Sequence, residues 1–110
     1  MHAFDVLSDT VRRRTLELIA QEEHASGEIV NVIEAEFGIS QSAVSQHLRI
    51  LRDAGFAQVR KDGARRCYSI DPTGFEDVQG WLDQLRRYWD SKMESLATEI
   101  ERGKRSGTAK

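Results

Sequence analysis

The sequence predicts a mainly helical domain carrying one β-hairpin, an α+β arrangement, and three observations lead there. Two helical patterns, residues 28–37 and 40–54, flank a tight turn at Gly38-Ile39. The stretch 57–70 then changes period, with Val59 on its first half and Tyr68 and Ile70 alternating on its second, around Lys61-Asp62-Gly63. Asp-Gly between two strand-like runs is a strong short-range hairpin signal. From Phe75 the helical period returns: Phe75, Val78, Leu82, Leu85, Trp89, Met93, Leu96 and Ile100 are separated by steps of three and four.

The totals set bounds on this picture. A chain of 110 residues, 39% apolar and 31% charged, fits one small globular domain with a large polar surface. No apolar run approaches the roughly 18 residues a membrane span needs, so no membrane partner is expected. The N-terminus, MHAFDVLSD, lacks the basic and apolar regions of a secretory signal. One cysteine, Cys67, excludes an intrachain disulfide and points to a reducing, cytoplasmic location. The net charge of −2 conceals an uneven distribution. Residues 21–37 carry only negative charges, Glu22, Glu23, Glu28, Glu34 and Glu36. Residues 40–70 carry Arg49, Arg52, Arg60, Lys61, Arg65 and Arg66 against Asp53 and Asp62. A local basic surface binds phosphate whatever the whole-chain sum.

In chain order, Phe4 and Leu7 mark one side of a short N-terminal segment, and Asp9 is placed to cap a helix over residues 10–21. Its apolar face is Val11, Thr15, Leu18 and Ile19. Arg12, Arg13 and Arg14 point around this helix in different directions and are expected to be solvent-facing. Ala25-Ser26-Gly27 breaks the pattern, with Ser26 a candidate cap for the next helix, whose apolar face is Ile29, Val32, Ile33 and Phe37. Asp71-Pro72-Thr73-Gly74 is a turn. The final helix, about residues 75–101, would be roughly 40 Å long, more than a domain of this size covers. Its apolar stripe, flanked by Trp81 and Tyr88, reads as a helix–helix seam. Residues 1–101 are therefore expected to form the domain, and the basic tail 102–110 to lack regular structure.

The helix after the Gly38 turn carries the functional signal. Ser40 is its candidate cap, and Gly55 suits the left-handed residue that ends many helices. Val44, Leu48 and Leu51 line one face; Gln41, Ser42, Ser45, Gln46 and Arg49 line the other. At about 100° per residue, His47 falls inside the apolar arc, which favours a packing role bonded to the neighbouring helix over contact with a nucleic acid. Glutamine pairs bidentately with adenine, arginine with guanine or phosphate, and serine with either. Helix, short turn and polar-faced helix together are the signature of a helix-turn-helix unit. The hairpin following it, with Arg60, Lys61, Arg65 and Arg66 near its tip, reads as a wing that reaches phosphate. Cys67 shares a strand face with Arg65 and Ser69, opposite Tyr68 and Ile70, and reads as an inert small residue, although neighbouring guanidinium groups favour thiolate. A winged module that binds only proteins is the alternative. No catalytic constellation is present, so an enzyme is not expected.

The chain resembles the ArsR-type winged-helix repressors of bacteria and archaea, over about residues 4–100. The resemblance is strongest in LSDTVRRRTLELI, in ISQSAVSQHLRILRDAGF and in RKDGARRCYSIDPTG. It implies a homodimer that binds double-stranded DNA at an inverted repeat and represses transcription. The interface would be formed by the first and last helices, here Phe4, Leu7, Leu82, Leu85, Trp89, Met93, Leu96 and Ile100. The DNA contacts would come from Ser40, Gln41, Ser42, Ser45, Gln46, His47 and Arg49 with the wing residues Arg60, Lys61, Arg65 and Arg66. Thr10 and Val11 stand where the family often has proline and threonine. Many members sense metal through a cysteine pair on the helix before the turn, which here reads GEIVNVIEAEF. Others use Asp, His and Glu between the C-terminal helices; this one offers Asp83, Asp90 and Glu94 without histidine, while His2, His24 and His47 are scattered. No metal and no other cofactor is expected, and the residues name no effector.

Overall fold

The computed structural model describes residues 2–108, with side-chain surroundings described for residues 2–103. The order is α1 (Ala3–Leu7), α2 (Thr10–Gln21), β1 (His24–Ala25), α3 (Ser26–Phe37), α4 (Gln41–Asp53), β2 (Ala57–Asp62), β3 (Arg65–Ile70) and α5 (Thr73–Thr108). The chain forms two compact units, Met1–Val78 and Gln79–Lys110.

Local chemistry sets the helix ends in the first unit. Asp9 Oδ1 accepts from the backbone N–H of Val11 and Arg12 at 2.8 and 3.1 Å and starts α2. Burial works against ionisation of this carboxyl. The Arg12 N–H bond, the nearby Arg12 charge and the Val11 N–H bond outweigh it, so its pKa is lowered from the usual 3.8. Ser26, the expected cap of α3, is instead its first residue: the N-cap is Ala25, which has no side-chain acceptor. Ala25 is held in extended backbone because it pairs with Cys67 in the sheet. Gly38 closes α3 at φ 67°, its N–H donating to Glu34 O at 2.9 Å. Ser40 Oγ then accepts from Ala43 N–H at 3.2 Å and opens α4. At the other end Gly55 has φ 80°, with Phe56 N–H on Leu51 O and Gly55 N–H on Arg52 O. That paired return is a Schellman cap.

The hairpin is longer than its turn signal suggests. Lys61 and Asp62 belong to β2, and the loop is Gly63-Ala64, with Gly63 at φ 64°. Glycine at the first central position is what a type II′ turn requires. A third strand goes beyond the hairpin expected from the sequence: β1 pairs antiparallel with β3, giving the order β1-β3-β2. Two residues carry too little periodicity to be read alone. The added strand makes β3 central and buries Cys67, whose cross-strand neighbours are Ala25 and Arg60. Cys67 and Tyr68 are therefore both buried although they point to opposite sheet faces.

The core gathers Val6, Leu16, Ile19, Ile29, Ile33, Val44, Leu48, Leu51, Phe56, Ala57 and Tyr68. In α1 the fully buried residue is Val6, while Phe4 is exposed and Leu7 half-buried. Arg12 corrects the expectation of a solvated cation: it is 8% exposed. Arg14 pairs bidentately with Glu36 at 2.8 and 2.9 Å, tying α2 to α3.

The second unit is the remainder of α5. Leu82, Leu85, Trp89, Met93, Leu96 and Ile100 are all exposed, with Trp81 and Tyr88 beside them. The helix also continues through residues 102–108, where the composition suggested no regular structure. No proline follows Pro72, and extending an existing helix adds a hydrogen bond for each residue fixed. Residues 109 and 110 lie outside the described residues. Among the described residues, no helix is long and apolar enough to cross a membrane.

Candidate nucleic-acid interface

Burial divides α4 into two faces. Val44, Leu48 and Leu51 are buried in the core, and Gln41, Ser42, Ser45, Gln46 and Arg49 are exposed. An open groove of about 790 Å³ runs along the exposed face. Gln41, Ser42, Ser45, Gln46 and Arg49 line one wall; Arg66 and Tyr68 of β3 and Ser26 of α3 line the other. A helix presenting amide, hydroxyl and guanidinium groups beside a cationic strand matches the donor and acceptor edges and phosphates of a duplex.

The four wing cations do not act as one set. Cross-strand pairing puts Lys61 opposite Arg66 on the sheet face that also carries Val59 and Tyr68. Arg60 and Arg65 lie on the other face, where carboxylates meet them. Arg60 Nε donates to Glu23 Oε2 at 2.9 Å, and Arg65 Nη2 donates to Glu28 Oε1 at 2.8 Å. The hydrogen bond to Glu23 raises the Arg60 pKa. His24 bonds Glu28 from the same side at 3.0 Å; that bond, reinforced by Arg65, lowers the Glu28 pKa against the opposing effect of desolvation. Among the described residues, Arg49, Lys61 and Arg66 make no ion pair. Of the cations lining the groove, Arg49 and Arg66 are thus uncompensated and Arg52 meets Asp53 at 3.5 Å, while Arg60 and Arg65 on the far face of the wing are neutralised.

Ser40 sits at the mouth of α4 with its hydroxyl committed to the cap. His47 is half-buried, and its Nδ1 lies 3.3 Å from Arg12 Nη1 on α2. Arg12 is the buried member of the Arg12-Arg13-Arg14 run, against the expectation that all three face solvent. The signal was present: Arg12, Leu16 and Ile19 are spaced i, i+4, i+7, and all three are buried. Three consecutive arginines disguised the inward one. Among the described residues no group of three or more His, Cys, Asp and Glu side chains converges as a metal would require.

Comparison with known proteins agrees with this geometry. Residues 9–59 match the family described as "Bacterial regulatory protein, arsR family". The chain is 34% identical to the HTH-type transcriptional regulator Rv2034 of Mycobacterium tuberculosis, over 90% of this chain and 86% of that protein. The chain belongs to the ArsR family. The chain is also 30% identical to the transcriptional repressor SdpR of Bacillus subtilis, over 74% of this chain and 86% of that protein. Among solved structures, the homodimeric winged helix-turn-helix DNA-binding domain Mb0332 of Mycobacterium bovis, a possible ArsR-family transcriptional regulator, superposes with a TM-score of 0.55. That pair is 26% identical and covers 80% of this chain and 75% of the other. The fold is accordingly a winged helix-turn-helix with a three-stranded antiparallel wing, and this ArsR-family chain is a transcriptional regulator and not an enzyme.

Proposed function

We propose that this regulator is a homodimeric repressor that binds an inverted-repeat operator through α4. The observation that carries the reading is the continuous exposed face Gln41, Ser42, Ser45, Gln46 and Arg49, facing Arg66 across one groove. Gln46 and Arg49 read base edges, Ser42 and Ser45 assist, Ser40 and His47 hold the helix at its start and its flank, and Lys61 with Arg66 meets phosphate. Arg60 and Arg65 support the wing through Glu23 and Glu28 and contribute less to phosphate. Two copies associate through the exposed apolar stripe of α5, with Phe4 and Leu7 of α1 joining the contact. The stripe supports this because several half-exposed large side chains on one helix are far from their lowest free energy in water. The homodimeric state of the Mycobacterium bovis domain and the repressor role of SdpR support it further.

Selection of bound sequences from random duplex DNA, followed by footprinting, tests the proposal. A two-fold symmetric footprint with half-sites about one helical turn apart is expected. A single asymmetric half-site removes the dimer, and unchanged operator affinity in a Gln46→Ala plus Arg49→Ala protein removes this face as the reader.

A further inference from the structure

We propose that Arg12 is a positioning residue for DNA recognition, setting the pose of the α4 reading face through His47. The inference rests on the reading that α4 contacts DNA.

A guanidinium only 8% exposed is tolerated when its donors are engaged. Arg12 divides them between three helices. On one edge Nε donates to Val6 O at 2.8 Å and Nη2 donates to Asp5 O at 3.0 Å, both at the C-terminal end of α1. On the other edge Nη1 lies 3.3 Å from His47 Nδ1 on α4 and 4.0 Å from Asp9 Oδ2, the cap of its own helix. Arginine has five donors and no acceptor. At this contact His47 Nδ1 is therefore the acceptor, and the ring proton sits on Nε2.

The consequence follows from where His47 stands. Its neighbours in the same turn, Gln46 and Arg49, are exposed on the groove side, while Val44, Leu48 and Leu51 are buried. The apolar packing of α4 is itself non-directional. A directional bond from a side chain anchored on α1 and α2 adds to it a constraint on the rotation of the helix about its own axis. Base readout demands side-chain placement to within about 0.5 Å. Losing the anchor should accordingly reduce discrimination between sequences more than it reduces attraction to DNA in general.

Two measurements test the proposal. Nitrogen-15 ring spectra of the intact protein at neutral pH should show His47 as the Nε2–H tautomer, and a mixture of tautomers in Arg12→Met. A His47 carrying its proton on Nδ1 in the unaltered protein overturns the bond. Affinities are then measured for a duplex selected from random DNA and for a scrambled duplex of the same composition. In His47→Leu the ratio of the two should fall about tenfold, the size of one lost base contact. In His47→Asn, whose Oδ1 stands two bonds from Cβ as the ring Nδ1 does and can accept from Arg12, it should stay within about threefold of the original. Arg12→Met added to His47→Leu should lower the ratio no further. Equal loss on both duplexes makes His47 a phosphate contact and overturns the positioning role, as does additivity of the two substitutions. Should Arg12→Met fail to fold, the ring spectrum and the His47 pair decide alone. Failure of the unaltered protein to bind any duplex defeats the DNA reading instead, while the ring spectrum still reports on the Arg12–His47 bond.

Discussion

Gly74 packs directly onto Phe56. Its N–H donates to Gly55 O at 2.6 Å, and a Cβ on Gly74 would lie 2.7 Å from Phe56 Cδ2 and from Gly55 O. Phe75 completes the joint, meeting Phe56 edge to face at 4.8 Å. The start of α5 is thus locked to the residues that terminate α4. Phe56 is fully buried and Gly55 O is backbone, so neither can move aside for a methyl group. Gly74→Ala should cost about 1–3 kcal/mol by overpacking, seen as a lower midpoint in urea unfolding at unchanged slope. A midpoint equal to the original would mean that the joint gives way easily.

The split of the wing cations separates substitutions that look equivalent in sequence. Lys61→Ala and Arg66→Ala should each make the dependence of log K on log salt shallower by about 1, as a lost phosphate contact does. Arg60→Ala and Arg65→Ala should change it much less, because Glu23 and Glu28 already neutralise those charges. A slope change of the same size in all four would show that both ion pairs open on DNA.

The exposed stripe of α5 makes a prediction about assembly. Leu85→Glu combined with Leu96→Glu places four like charges in a symmetric seam and should yield monomers in sedimentation equilibrium. Operator affinity should fall with them, since a single half-site contributes only its own contacts. A dimer mass retained by this variant would locate the interface elsewhere.

Acid should destabilise the first unit through the cap of α2. Asp9 is lowered from 3.8 in the folded protein, so below that value the unfolded chain takes up protons before the native one does. Its stabilisation is complete above the unfolded pKa and is lost as pH falls through the folded value. Asp9→Ala should cost about 1 kcal/mol at neutral pH and reduce the dependence of stability on pH below about 4. Parallel acid limbs for the two proteins would assign the acid sensitivity to other carboxylates.

The sequence by itself determined what depends on neighbours within a few residues. Ser40 and Asp9 as caps, Gly38 and Gly55 as stops, and the two faces of α4 all follow from chemistry acting across one turn of chain. The period of the α5 stripe is equally local. Tertiary structure alone decided the rest. Strand β1 exists because His24 and Ala25 meet Tyr68 and Cys67, more than forty positions away. Arg12 became an interior residue because the α1 carbonyls and His47 converge on it. Arg60 and Arg65 parted from Lys61 and Arg66 because strand alternation turned them towards Glu23 and Glu28. Each outcome was set by which partner the fold brought within hydrogen-bonding reach, and residue order does not state that distance.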